Sequence, residues 1–305
     1  MTRPLKVGVQ LPEVERHVPW AEVRDMAVAA EQVGFDSLWV GDHLLYTPTG
    51  KDPIGPWEAW TSLAALAEVT ERVELGPLVA STSFHSPAML AKMAATVDEM
   101  SGGRLILGLG AGWNEPDYTA YGFPYDHRAS RFEEAFTIIR TLLRDGYIDF
   151  SGTYYEIRDC TLVPRSPRPN GPRLMLGSIG ERMLNIAAPY IDSWNAWHDW
   201  FGNTPEGIAP LNAAVDEAAR AAGRDPSEIE RTTTVLVQMT GGEGRISGGE
   251  FARPTPPLKG TPERIADGLR GYATVGMSHL QLVLDPITVG AIEECRAALE
   301  LLDRD

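Results

Sequence analysis

Arg104-Leu-Ile-Leu-Gly-Leu-Gly-Ala-Gly-Trp-Asn-Glu115 decides the fold. Leu105, Ile106, Leu107 and Leu109 form a continuous apolar run. Such a run suits a parallel strand covered on both faces better than a strand with one wet face. Gly108, Gly110 and Gly112 remove side chains where the strand ends, which lets a ligand approach the backbone. Trp113, Asn114 and Glu115 follow at once: a flat apolar face, an amide and a carboxylate. In a barrel of parallel strands, chemistry gathers at the C-terminal strand ends. Taken alone, the glycine run also fits a tight turn beside a surface tryptophan.

The flanking sequence repeats the strand-then-helix theme. Strands are expected over residues 6–11, 35–40, 73–80, 105–109, 173–176, 190–196, 232–239 and 279–284. Helices are expected over 20–33, 57–70, 87–100, 130–144, 181–188 and 205–222, from Thr261 onward, and over 287–302. Gly34 and Gly223 are helix-stop signals, and Pro87 and Pro262 are helix-start signals. Residues 150–163 read as a short hairpin, followed by a Pro-rich connector over 164–172. Residues 241–258, rich in Gly, Ser and Pro, read as a mobile loop before the last β/α unit. Alternation of this kind defines an α/β fold, and eight units define a (β/α)8 TIM barrel, here one domain over residues 1–305.

The bulk numbers agree. The chain has 305 residues, 43% hydrophobic and 23% charged, enough for a large core. Its net charge of -15 argues against nucleic acid or an anionic membrane as a partner of the whole surface. Cys160 and Cys295 stand far apart, without metal-ligand spacing, and read as incidental thiols in a reduced compartment. No signal segment opens the chain and no apolar run reaches ~18 residues, so a cytoplasmic protein is expected.

Several residues could carry chemistry. The second strand runs into Asp42-His43, and a histidine at a barrel mouth can exchange a proton near neutral pH. Asp42 could orient it or hydrogen-bond a ligand. Small and hydroxyl residues at the end of the third strand leave room for a flat ring, and His85 reads as a surface residue leading a helix, with a second ligand-contacting histidine as the alternative. Gly177-Ser178-Ile179-Gly180 lies between a strand and a helix, where backbone N–H groups favour phosphate. No Walker-type lysine follows, so an NTP-hydrolysing loop is disfavoured. Trp194, Trp197, Trp200 and Phe201 crowd the end of the sixth strand and could wall an apolar pocket. No cluster has metal-ligand spacing, so no metal is expected.

The chain resembles the luciferase-like (bacterial luciferase superfamily) barrel oxidoreductases, specifically the branch that uses the deazaflavin coenzyme F420. The matching stretches are Gly34-Phe-Asp-Ser-Leu-Trp-Val-Gly-Asp-His43, the run from His85 to Ser-Gly-Gly-Arg104, Gly108-Leu-Gly-Ala-Gly-Trp-Asn-Glu115, Gly177-Ser-Ile-Gly180 and Ile191-Asp-Ser-Trp-Asn195. They span most of the chain in the family's order.

The resemblance implies a tricyclic ring in the barrel mouth, near Asp42, His43 and a bulge in the third strand. That bulge would carry a non-proline cis peptide at or near Leu78-Val79. Ala111, Trp113 and Asn114 would line the cofactor, and Gly177, Ser178, Ile179 and Gly180 would hold its phosphate. His43 matches the acid/base or intermediate-stabilising position. Trp113 stands where the sugar-phosphate dehydrogenase branch carries a glutamate, so that proton-donor role does not transfer. Ser193 replaces the usual glycine before Trp194, and the Arg and His residues of the two-component sulfonate monooxygenases have no clear match.

The expected activity is hydride transfer between F420 and a small organic substrate, by a homodimer. The alternatives are an FMN-dependent monooxygenase served by a separate flavin reductase, and a non-catalytic flavin-binding paralogue.

Overall fold

A computed structural model describes residues 3, 5–47, 52–245 and 255–304. Eight parallel strands form the barrel: β1 (Lys6–Gln10), β2 (Ser37–Val40), β3 (Glu74–Pro77, resuming at Ala80–Ser81), β4 (Ile106–Gly110), β5 (Arg173–Gly177), β6 (Ser193–Ala196), β7 (Glu230–Gln238) and β8 (His279–Asp285). Around the ring the order is β3, β2, β1, β8, β7, β6, β5, β4 and then the second half of β3. The ring closes twice between β3 and β4. Near the base, Leu75 N donates to Arg104 O at 3.0 Å. At the top, Ala80 pairs with Leu109 and Ser81 with Gly110. Between the two closures the Leu78-Val79 peptide is cis. The expected continuous strand over 73–80 is therefore two short segments flanking a bulge.

The helices form an outer layer. Helix α1 (Trp20–Val33) buries Val23, Met26, Ala27, Ala30 and Val33, an apolar stripe at helical spacing, and ends at Gly34 in the left-handed region (φ 107). It is followed by α2 (Ala59–Val69) and α3 (Pro87–Met100), the latter with Pro87 in its first turn. Then come α4 (Glu115–Tyr121), α5 (Arg128–Asp145), α6 (Glu181–Ala187), α7 (Pro205–Ala221) and α8 (Pro262–Thr274). The expected last helix is two, α9 (Val289–Glu294) and α10 (Arg296–Leu302). They meet where Cys295 N bonds back three residues to Ile292 O rather than four. The expected hairpin is present, as Tyr147–Ser151 paired antiparallel with Glu156–Thr161.

Half of the 241–258 stretch expected to be a mobile loop, residues 246–254, lies outside the described residues. Its ends are tied down: Gly244 N donates to Asp285 Oδ2 at 2.7 Å, and Leu258–Lys259 pairs parallel with β7. Among the described residues no helix is long and apolar enough to cross a membrane.

The barrel seam depends on two side chains, Arg104 of the Ser-Gly-Gly-Arg stretch and Asp98 just before it on α3. The Arg104 guanidinium donates to Ala67 O, Thr70 O, Thr70 Oγ1, Val73 O and Ser101 O. It therefore satisfies carbonyls that the end of α2 leaves without partners. Asp98, fully buried on α3, accepts from Leu105 N at 3.2 Å, from Arg168 Nε at 3.1 Å and from Ser166 Oγ.

The barrel floor is polar. Lys6 pairs with Glu74 at 2.9 Å, and Arg173 pairs with Glu230. Among them sits His279, whose Nε2 lies 2.7 Å from Ser37 Oγ, which also receives the Trp39 indole N–H. Burial, only partly offset by Glu74 and Glu230, depresses the His279 imidazole from 6.5 to about 4. Such a group adds nothing to stability changes above pH 6.5 and penalises the fold as pH falls from there toward 4. The full penalty is on the order of 3 kcal/mol. His279→Gln should flatten that part of the curve when urea midpoints are followed between pH 7 and 4.5. An unchanged acid slope in the variant would assign the slope to other groups.

Candidate active site

The C-terminal ends of the strands gather most of the residues singled out by sequence. Asp42 and His43 follow β2 directly. Asp42 is buried and accepts from Ser81 N at 2.8 Å and from His85 Nε2 at 3.1 Å. It thereby ties the end of β2 to the chain just beyond the cis bulge. Burial raises the Asp42 carboxyl above its ordinary range, with His85 pulling the other way. His85 is thus half-buried and paired with Asp42, not the surface residue expected, because the buried Asp42 carboxyl draws its ring inward.

The imidazole of His43 is held by a residue that the sequence did not flag. Its Nδ1 lies 2.8 Å from Asp117 Oδ2. Asp117 is fully buried on α4, and its other oxygen accepts from Leu44 N at 3.2 Å and Leu45 N at 2.6 Å. A carboxylate accepts only, so Nδ1 carries hydrogen and Nε2 is the nitrogen left for a ligand. The ring lies between Tyr46 and Trp113, with centroids 4.8 and 5.3 Å away. Burial opposes the charged imidazolium. The Asp117 hydrogen bond, with the charges of Glu13, Asp117 and Asp42, outweighs it and leaves His43 above its ordinary value.

The missed helix has a readable start. Asn114 is its N-cap position, Pro116 lies in the first turn, and Glu115 and Asp117 are acidic first-turn residues. Asn114 is buried and its amide donates to Leu45 O at 2.9 Å, so it supports the His43 loop. Trp113 is 39% exposed. Ala111 is half-buried, and its carbonyl accepts from Tyr118 Oη at 2.8 Å.

The glycines of the opening stretch serve the protein before any ligand. A Cβ at Gly108, Gly110 or Gly177 would come within 2.9, 2.8 and 2.8 Å of the Val79 side chain. One at Gly112 would fall 2.0 Å from Tyr118 Oη and 2.4 Å from Ser81 Oγ. Side chains at these positions are excluded by Val79, Tyr118 and Ser81, and at Gly108 also by the Pro77 carbonyl. Leu78 packs below with Trp39, Ile106 and Met175, and Val79 and Trp197 lie against this cluster.

On the opposite side, Gly177 and Ser178 are half-buried while Ile179 and Gly180 are exposed ahead of α6. Ser178 Oγ accepts from Gly180 N at 3.3 Å, and Ser178 O accepts from the Trp194 indole at 2.8 Å. The tryptophan cluster divides: Trp194 and Phe201 are buried, Trp197 faces the barrel interior, and Trp200 is exposed. His198 is also buried, bonded to Asp199 at 3.2 Å and close to Thr234 Oγ1, and burial lowers its basicity.

Over the mouth lies an ion cluster that composition alone does not reveal. Arg245 reaches Glu15 at 2.9 Å and Glu13 at 3.5 Å, with its guanidinium 5.3 Å from the Trp197 ring centre. Glu13 also accepts from Gln10 Nε2 at 3.0 Å and Tyr46 Oη at 3.4 Å. Burial, reinforced by Glu13, holds the Tyr46 phenol well above its ordinary value. Among the described residues, the buried polar atoms Gln10 Oε1, Gln281 Nε2 and Arg245 Nη1, here and in the barrel below, have no hydrogen-bond partner. Unsatisfied buried groups are costly in a finished interior, and these fit a pocket that a polar ligand completes. Among the described residues no group of three or more His, Cys, Asp or Glu side chains could hold a metal ion.

A parallel barrel with a His–Asp pair at its C-terminal mouth is an enzyme-like arrangement. The chain belongs to the luciferase-like monooxygenase family, whose profile matches residues 5–243. An F420-dependent glucose-6-phosphate dehydrogenase of Amycolatopsis mediterranei (strain U-32) is 32% identical over 241 residues, covering 76% of this chain and 68% of that protein. The pyrimidine monooxygenase RutA of Enterobacter cloacae subsp. cloacae is 36% identical over 177 residues, 55% of this chain and 47% of that protein. Among solved structures, an F420-dependent secondary alcohol dehydrogenase in complex with an F420-acetone adduct shares the fold, with a TM-score of 0.82, 19% identity and coverage of 98% and 99%.

Proposed function

We propose that the protein is an oxidoreductase that transfers a hydride between coenzyme F420 and a small organic substrate. The observation that carries this reading is the His43–Asp117 pair at the barrel mouth, with Nε2 free, one residue from the carboxylate that anchors the cis bulge. The similarity to an F420-dependent dehydrogenase over three quarters of the chain supports the choice of coenzyme. When bound, a deazaflavin supplies two-electron hydride chemistry and reacts poorly with oxygen; the protein supplies binding, orientation and electrostatics.

The residues present fit such a group. Leu78 and Val79 offer an apolar ledge, and Asp42 fixes its position through Ser81 N. Ala111, Trp113 and Asn114 border one side. Gly177, Ser178, Ile179 and Gly180 present backbone to the other, where an anionic tail would be received. His43 would hold a proton at Nε2 for the substrate oxygen beside the carbon that loses or gains hydride, and Asp117 keeps that nitrogen oriented.

A second reading, an FMN-dependent monooxygenase fed by a flavin reductase, is favoured by the 36% identity to a pyrimidine monooxygenase over more than half of this chain. Equilibrium binding of F420 and FMN, side by side, separates the two. Tight F420 and weak FMN binding is the expected result. The reverse order would move the protein to oxygen chemistry, and binding of neither would leave a barrel without redox function.

A further inference from the structure

We propose that the mouth selects an uncharged substrate bearing a hydrogen-bond-accepting oxygen, and that Arg245, its charge already balanced by Glu13 and Glu15, is the donor to that oxygen. The inference rests on the active-site reading above and names the substrate class that the site takes.

Arg245 is the group on which recognition turns. Its side chain is 4% exposed and lies over Trp197, which packs on the apolar plug of Trp39, Leu78, Ile106 and Met175. Nε is spent on Glu15 and Nη2 on Glu13, while Nη1 is buried without a partner. A buried guanidinium N–H with nothing to bond is costly, so a ligand oxygen there gains what the protein leaves unmet.

The charge of that oxygen follows from the surroundings. Two acidic side chains already face the one guanidinium, so acidic groups outnumber the base in the cluster. Glu13 connects through Tyr46 to His43, which is backed by Asp117. Asp42 lies one residue before His43, and Asp199 is bonded to His198 beside Trp197. An incoming phosphate or carboxylate would meet this field in a poorly solvated site, where like charges repel more strongly than in water. A carbonyl or hydroxyl oxygen accepts the same N–H without adding charge. An arginine that receives phosphate needs its fork open to the ligand; here the fork is closed by Glu13 and Glu15.

The test compares cyclohexanone with cyclohexanecarboxylate, similar in shape and different in charge, by calorimetry at pH 7.5 on the coenzyme-loaded protein. The ketone should bind at least about tenfold more tightly than the carboxylate. Glu15→Gln, which removes one negative charge while keeping an acceptor for Arg245 Nε, should narrow or invert that ratio by about tenfold. Arg245→Leu should weaken the ketone. Equal or tighter carboxylate binding by the unaltered protein, absence of ketone binding, or a ratio indifferent to Glu15→Gln overturns the proposal. Coenzyme binding is read separately by fluorescence. A protein that binds F420 yet prefers the carboxylate defeats this inference alone, while one that binds no coenzyme defeats the functional reading.

Discussion

Replacing His43 with alanine is expected to lower turnover by about 10²–10⁴-fold, the usual contribution of a positioned general acid or base. The loss should fall on kcat, because Nε2 acts on the proton that accompanies hydride transfer. Asp117→Asn is the more informative companion. Asparagine keeps the size and can still accept from Leu44 N and Leu45 N, but it removes the negative charge beside Nδ1.

The pH profile then carries a sign. The folded environment holds His43 above its ordinary value, with Asp117 the largest favourable contributor against burial. In the direction that reduces a carbonyl, His43 must be protonated, so the rate falls as pH rises through its pKa. In Asp117→Asn that limb should move to lower pH. The same shift implies that the imidazolium stabilises the fold below its unfolded pKa and that this contribution is lost as pH rises through the folded one. A limb that stays in place in Asp117→Asn would exclude His43 as its source.

Asp98→Ala should destabilise the protein by about 4 kcal/mol, within the range seen when one partner of a buried ion pair is removed. Leu105 N, Ser166 Oγ and the Arg168 guanidinium would lose their shared acceptor at the seam where β3 and β4 close the barrel. Ser166→Ala, which removes the bond to Asp98 and a long one from Arg168 N at 3.4 Å while leaving Asp98 its other donors, should cost only about 1 kcal/mol. Denaturant unfolding measures both. A loss below about 1 kcal/mol for Asp98→Ala would show that the seam is held by its strand pairing and Arg104 alone.

Much of the fold is legible because its punctuation is local. The ends of α1 and α3 match expectation since Gly34 stops one helix and Pro87 starts the other. The hairpin and the alternation of strands and helices are equally plain in sequence. Apolar periodicity reads the third strand as continuous, because it does not register a cis peptide; the family resemblance is what locates the bulge at Leu78-Val79, where the cis bond is found. The site was half legible. Asp42 and His43 stand at a strand end, where a pattern reader looks. Asp117 sits on a seven-residue helix too short to show an apolar stripe, and its meaning lies 74 residues away in His43. Arg245 looks like punctuation in a glycine-rich loop until the chain brings it to Glu13 and Glu15, 232 and 230 residues earlier. Long-range pairing of polar groups leaves no periodic trace, whereas the burial of apolar faces does.

The packing of Val79 against three glycines has a consequence for how this barrel can change over generations. Strands β4 and β5 surrender their side chains at Gly108, Gly110 and Gly177, and one residue from the bulge occupies the combined space. Gly110, Gly177 and Val79 form a single volume-conserving set. An alanine at Gly110 or Gly177 requires a smaller residue at 79, whereas one at Gly108 would also fall 2.3 Å from the Pro77 carbonyl oxygen, which no change at 79 relieves. Descendants of this sequence should therefore keep glycine at 108 and vary 110 or 177 only together with position 79.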